Sequence, residues 1–243
     1  MIHYHGTPCG GSRVDAPRFL AGRHALVPFS YPDDVSIVAD VCQSFVFDNG
    51  AFTAWKQGGN VDCDGYVNWV REWHRHPGFD WALIPDVIDG SEIENDELLK
   101  AWPKDLPGVP VWHLHEDASR LVKLCQDFPR VALGSSGQFK SPGTHGWWQR
   151  INETLPLVCV DGKPVCKLHG LRMLDPDIFT KLPLSSADST NAAVNGGSIS
   201  RFGSYPSPTK AQRSTVIADR IEAYNSSAIF EAHHQESLCF LQS

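Results

Sequence analysis

The sequence predicts an α/β chain folded as a single (β/α)8 TIM-type barrel with a C-terminal helix. Three observations predict it. Short apolar runs recur at residues 3–5, 25–28, 44–47, 81–85, 109–114, 131–134, 165–168 and 183–185, at intervals of about 18 to 37 residues. Several are unbroken rather than alternating, as strands of a parallel sheet covered on both faces require. The length, 243 residues, falls within the roughly 200 to 250 that one such barrel occupies. A doubly wound open sheet shares this alternation, but no Gly-x-Gly-x-x-Gly follows the first run, which weakens its dinucleotide-binding form.

Each intervening segment carries helix signals. Pro32 opens Pro32-Asp33-Asp34-Val35, and Val35, Val38 and Val41 then fall on one face. Asp64 precedes Tyr66, Val67, Trp69, Val70 and Trp73, and Asp117 precedes Leu121, Val122, Leu124 and Cys125. Gly196 to Pro208 is irregular and loop-like. Ser207-Pro208 then starts a stretch with Val216, Ile217, Ile221 and Tyr224 on one face. Residues 207–243 therefore read as a terminal helical extension of one domain spanning 1–243. The tryptophans at 69, 73, 147 and 148 suit packing of helices on the barrel. His74 and His76, with Arg71 and Arg75, suit a solvated helix face.

Composition narrows the classes. With 42% hydrophobic and 20% charged residues, the chain is neither disordered, collagen-like nor coiled coil. No apolar run approaches the roughly 18 residues a membrane span needs, and the first ten residues lack a signal peptide's pattern. Seven scattered cysteines argue against a disulfide framework and for a reducing cytoplasm, that of a host if the chain is phage-encoded. The net charge of −7 excludes indiscriminate coating of nucleic acid but leaves room for a local basic groove. Arg13, Arg18 and Arg23 stand against one acid, Asp15, and Arg201, Lys210 and Arg213 against none; the alternative for both windows is a solvated surface.

In such a barrel the carboxyl ends of the strands face the site. Those ends supply His3-Tyr4-His5-Gly6, Asp48-Asn49-Gly50-Ala51-Phe52, Ile84-Pro85-Asp86, His113-Leu114-His115-Glu116, Gly134-Ser135-Ser136-Gly137, His169-Gly170 and Asp188-Ser189. Singly, Asp48 suits a turn with Asn49-Gly50, and Asp86 and Asp188 suit helix caps. Three acids at strand ends of one barrel favour chemistry instead.

Two reaction classes suit them. One is metal-assisted hydrolysis of the amidohydrolase kind, with His3, His5, a strand-five histidine and Asp188 on zinc. Gly134-Ser135 stands where that class wants a further histidine. The other is covalent exchange at a sugar carbon: one carboxylate attacks the anomeric carbon and a second shuttles the leaving base's proton. A third accepts hydrogen bonds from a guanine edge. A DNA-binding barrel without catalysis is the non-enzymatic alternative.

In their order around the barrel these motifs resemble the tRNA-guanine transglycosylase superfamily, and within it the small DNA-modifying (DpdA-type, phage-like) 7-deazaguanine transglycosylases. The likeness spans about residues 44 to 190. It implies that Asp48 is the general acid/base, that Phe52 stacks on the base and that Asp86 reads the guanine edge. It also implies that His115, or else His113, replaces a base-contacting glutamine. Gly134-Ser135 would offer backbone to the base carbonyl, His169-Gly170 would pack on the other base face, and Asp188 would be the nucleophile. The implied partners are DNA, guanine and a free 7-deazaguanine base, with an accessory protein or homo-oligomer open and no membrane. Arg13, Arg18, Arg201, Lys210 and Arg213 are the candidate phosphate contacts. The tRNA enzymes' zinc site is not reproduced by the spacing of Cys159, Cys166 and His169, so no cofactor or metal is expected. The shorter chain favours DNA over tRNA as the polymer. Cys9, in a loop beside Gly10-Gly11, has no base visibly paired with it.

Overall fold

The structure, a computed structural model, describes residues 1–8, 15–56, 58–59, 61–198, 202 and 206–232. Parallel strands and helices alternate through it. The strands are β1 (Ile2–Gly6), β2 (His24–Pro28), β3 (Ser44–Asp48), β4 (Phe79–Leu83), β5 (Gly108–Val109), β6 (Val111–His113), β7 (Arg130–Gly134), β10 (Lys167–Gly170) and β11 (Ser186–Ser189), with a separate antiparallel pair, β8 (Cys159–Val160) and β9 (Lys163–Pro164). The nine parallel strands lie in the order β5-β4-β3-β2-β1-β11-β10-β7-β6. The two ends of that row, β5 and β6, are separated only by Pro110, which has no N–H to give a ladder. β5 pairs with β4 and β6 with β7, so one stretch of chain spans the seam of a nearly closed, barrel-like sheet.

Side chains alternate between its two faces. Tyr4, Leu26, Val46, Trp81, Leu83, Val109, Val111 and Ala132 fill the interior. Phe45 and Phe47 point outward instead, where Phe47 stacks on Trp69 of α4 (Cys63–Trp73) with ring centroids 3.7 Å apart. The same alternation places Asp48 two residues beyond Val46, His113 beyond Val111, Gly134 beyond Ala132 and Asp188 beyond Ser186, all at one end of the barrel.

The described α-helices are α1 (Asp15–Leu20), α2 (Asp34–Val41), α3 (Ala51–Lys56), α4 (Cys63–Trp73), α5 (Glu92–Ala101), α6 (Ala118–Asp127), α7 (His145–Thr154), α8 (Pro176–Phe179), α9 (Asn191–Asn195) and α10 (Lys210–Glu222). Several starts follow the chemistry of their caps. Asp62 accepts from Gly65 N to open α4, and Asp117 accepts from Ser119 N to open α6 (Ala118–Asp127). Ser91 with Glu94 boxes the start of α5 (Glu92–Ala101). The final helix, α10 (Lys210–Glu222), starts at a Thr209–Gln212 capping box, just beyond the Ser207-Pro208 signal. It packs on α1 (Asp15–Leu20) and α9 (Asn191–Asn195). Trp69, Trp147 and Trp148 are buried, and Trp73 packs against the outer core.

Nine parallel strands stand where the sequence predicts eight, because the fifth expected strand, 109–114, is broken at Pro110 into β5 and β6. The fourth, expected at 81–85, runs Phe79–Leu83, and two later strands are also displaced. The seventh, expected at 165–168, runs Lys167–Gly170, because Val165 closes the β8–β9 hairpin by donating to Val158 O and stays exposed. The eighth, expected at 183–185, runs Ser186–Ser189, in register with Ile2 to His5. Its polar residues that face inward, Ser186 and Asp188, belong to the sheet because they find partners there; Arg130 donates to Ser186 Oγ and His169 to Asp188 Oδ2.

His3 and His5 point the opposite way from Tyr4 on β1. His5 Nε2 donates to Glu222 Oε1 at 2.8 Å, and His3 Nε2 donates to Tyr224 O at 3.0 Å. Burial would raise the Glu222 carboxyl, but His5 and Arg23 outweigh it and hold it below its usual range. These histidines fasten α10 to the barrel. A first-strand metal pair with Asp188 is thereby ruled out by the pleat. No disulfide joins the described cysteines, at 42, 63, 125, 159 and 166, to one another. No helix among the described residues is long and apolar enough to cross a membrane.

Candidate functional site

A cavity of about 510 Å3 opens at the carboxyl ends of the strands, within the ~300–1,000 Å3 range of small-molecule sites. Asp48, Asp86 and Asp188 all line it, from the end of β3, the turn after β4 and the body of β11. Neither cap reading holds: Ser91 caps the helix after Asp86, and Thr190 precedes the helix after Asp188. The turn reading of Asp48 is half right, since its Oδ1 accepts from Gly50 N at 2.8 Å.

Each acid has different surroundings. Burial pushes Asp48 up to about 7, with the nearby Asp188 and Asp86 adding to the effect and the Gly50 N–H opposing it. Asp86 is gripped on both oxygens. Asn49 Nδ2 donates to its Oδ1 and His113 Nε2 to its Oδ2, each at 2.7 Å. Asn49 is itself fixed, since the same amide donates to Ile84 O at 3.0 Å and its Oδ1 accepts from Ala51 N at 2.7 Å. Asp188 accepts at Oδ2 from His169 Nε2 at 3.1 Å and from Arg172 N at 3.2 Å. Arg172 is held at φ 59°, a costly conformation for a non-glycine residue, and it delivers that N–H.

Supporting groups fix the strand ends. Tyr66 on α4 donates to Leu83 O at 2.9 Å and, more weakly, to Phe47 O at 3.3 Å. Burial raises this phenol far above its ordinary value, with Asp48 and Asp86 adding to it, so it remains a donor. Glu116 does not face the cavity. It accepts from His113 N at 2.9 Å, Arg120 Nη1 at 2.8 Å and Asn95 Nδ2 at 2.9 Å, holding the end of β6 in place.

Among the other expected site residues, Phe52, Gly134 and Ser135 line the cavity. His115 does not, because the chain turns after β6, with Glu116 N donating to His113 O, and so leaves the strand's alternation. His115 instead meets Ser136 Oγ at 2.6 Å and Gly90 O at 3.3 Å, while His113 lines the cavity. His169 is fully buried beneath Asp188, one layer too deep to stack on a ligand; Leu171, two residues on, lines the cavity in its place. Gly170 faces outward, where a Cβ would meet Leu184 and Met173 at 2.9 Å.

The phosphate-contact expectations fare worse. Arg213 is buried and donates to Gly196 O and Ser207 O at 2.7 Å and to Pro208 O at 3.1 Å, tying the irregular segment to α10. Arg18 is exposed in the last turn of α1, the end that returns toward the start of β2 and so away from the cavity. Lys210 begins α10. Arg13, Arg201 and Cys9 lie outside the described residues. The exposed cations that do line the cavity are Lys56, Lys140 and Arg172. Lys56 Nζ and Arg172 Cζ lie 4.4 and 4.5 Å from the Phe52 ring centroid. Nothing in the sequence singled out these three, because their place on the rim depends on loops. Asn49 and His113 carried a signal, but Asn49 reads as a turn residue and His115 competes with His113.

Among the described residues, no group of three or more His, Cys, Asp or Glu is arranged to hold a metal ion. The Cys159, Cys166 and His169 combination fails as a ligand set because His169 points into the barrel while the thiols lie outside the interior core. No family model, curated protein or solved structure matches the chain.

Proposed function

We propose that the chain is a base-exchange transglycosylase on a (β/α)8 barrel, replacing guanine in DNA with a 7-deazaguanine. One observation carries this reading: three carboxylates of unlike surroundings line one cavity, and the one raised to about 7 is Asp48. A group that must give and then take a proton near neutral pH works best with such a value.

In the first half-reaction an Asp188 oxygen attacks C1′ of a deoxyguanosine. A C1′–O ester bond forms, the glycosidic C1′–N bond breaks, and its electron pair leaves with guanine, which takes the proton of Asp48. In the second, Asp48 removes a proton from the incoming 7-deazaguanine. The nitrogen so freed attacks C1′ and expels the Asp188 carboxylate. Asp86 accepts from the N1–H and exocyclic amine that both bases share; its oxygens have lone pairs left after Asn49 and His113 are served. The base must leave the stack, at roughly a few kcal/mol, and stacking on Phe52 returns about 1 to 3 kcal/mol. Lys56, Lys140 and Arg172 supply the positive rim for the flanking phosphates.

The test is incubation of the protein with DNA and, in parallel, with tRNA, each with labelled guanine, followed by a denaturing gel and counting of the polymer. Label in DNA supports the reading, label in tRNA alone changes the polymer, and label in neither overturns it.

A further inference from the structure

A line of polar groups runs from the half-buried Arg130 through the barrel interior and ends on Asp188. Arg130, at the start of β7, donates from Nη1 to Ser186 Oγ at 2.8 Å. Ser186 Oγ lies 2.9 Å from His169 Nδ1, and His169 Nε2 lies 3.1 Å from Asp188 Oδ2. The order of donors follows from the ends. Arginine only donates, so the Ser186 oxygen accepts from it; the Asp188 carboxylate only accepts, so His169 donates to it from Nε2 and leaves Nδ1 to take the Ser186 hydroxyl hydrogen. The ring proton then sits on Nε2, directed at the carboxylate. Burial lowers His169 below its ordinary value against the opposing pull of Asp188, in keeping with a neutral ring. Packing fixes the ring's tilt as well: it meets Trp81 edge-on at 4.8 Å and Tyr4 at 6.0 Å.

We propose that His169, its tautomer set by Ser186 and Arg130, is a positioning residue that locks Asp188 Oδ2 and leaves Oδ1 as the oxygen presented to the ligand. Only the kinetic consequence rests on the transglycosylase reading; the contact itself does not. Two donors on Oδ2, from His169 and the Arg172 N–H, turn a carboxylate that could rotate into one with a single exposed oxygen. The aim of the nucleophile is set before the substrate arrives.

The experiment joins a spectroscopic and a kinetic readout. In protein labelled with 15N-histidine, the His169 signals, identified by their loss in His169→Gln, show the Nε2–H tautomer. In Ser186→Ala they shift toward a mixture. His169→Leu lowers the rate of covalent trapping on DNA by about 10- to 100-fold, the loss expected for a hydrogen bond to a charged group, with little change in KM. His169→Gln, which keeps a donor at that distance, restores most of the rate. An Nδ1–H tautomer in the wild-type protein overturns the proposal, and so does a His169→Gln rate as low as that of His169→Leu at equal thermal stability. If the tautomers behave as expected but no variant, wild type included, traps DNA, the transglycosylase reading falls and the positioning contact stands.

Discussion

His113 and Asp86 form a 2.7 Å hydrogen bond, Nε2–H to Oδ2, between the end of β6 and the turn after β4. The pair ties together strand ends on either side of the seam and leaves the carboxylate open to the cavity. Asp86→Ala should therefore weaken guanine binding by at least tenfold before it affects chemistry, as followed by calorimetry. It should also cost about 1 to 3 kcal/mol of stability, because His113 is left without a partner on either ring nitrogen. Unchanged guanine affinity would remove Asp86 from the base edge.

The neighbouring glycine makes this contact possible. A Cβ at Gly134 would lie 2.7 Å from His113 Nδ1. Gly134→Ala should thus push the ring off Asp86, destabilising the fold by about 1 to 3 kcal/mol and reducing guanine affinity in step with Asp86→Ala. A melting temperature and affinity equal to wild type would show that the ring has room to spare.

Asp188→Asn keeps the shape of the side chain but removes the nucleophilic charge. Covalent trapping on DNA should vanish while the circular dichroism spectrum and melting temperature change little. Persistent exchange would reject Asp188 as nucleophile.

Asp48 divides the two half-reactions by pH. Trapping needs its protonated form and should fall off above about pH 7, whereas return attack by the incoming base needs the carboxylate and should fall off below it. Stability follows the same group. Its folded value lies above the unfolded one, so the native state holds the extra proton between about pH 4 and 7. The contribution is fully present below that window and is lost as pH rises through it. Asp48→Asn should accordingly be more stable than wild type at pH 8, by on the order of 1 to 3 kcal/mol, and flatter with pH. Chemical denaturation at pH 5 and pH 8 measures the difference.

The cations separate by place. Lys56→Ala, Lys140→Ala and Arg172→Ala should each weaken DNA binding across all sequences and reduce the salt slope by about one. Arg213→Ala should lower the melting temperature through its lost carbonyl contacts and leave the salt slope unaltered. The reverse pattern would return Arg213 to the interface.

The alternation of strands and helices, most strand positions and the three acids at strand ends were legible in the amino-acid order. Those features live in local patterning: apolar runs of strand length, caps such as Asp117, and an acid following an apolar run. That order also held His113, but could not choose it over His115, since the choice depends on where the strand's alternation stops and the turn begins. Folding in three dimensions was needed to set which side of β1 carries His3 and His5, and to bury His169 beneath Asp188 rather than beside a ligand. It alone gathered Lys56, Lys140 and Arg172 on one rim while burying Arg213. The physical reason is that facing and depth are set by register between strands far apart in the chain, as in Tyr4 opposite Asp188, and by loops whose course no local pattern encodes.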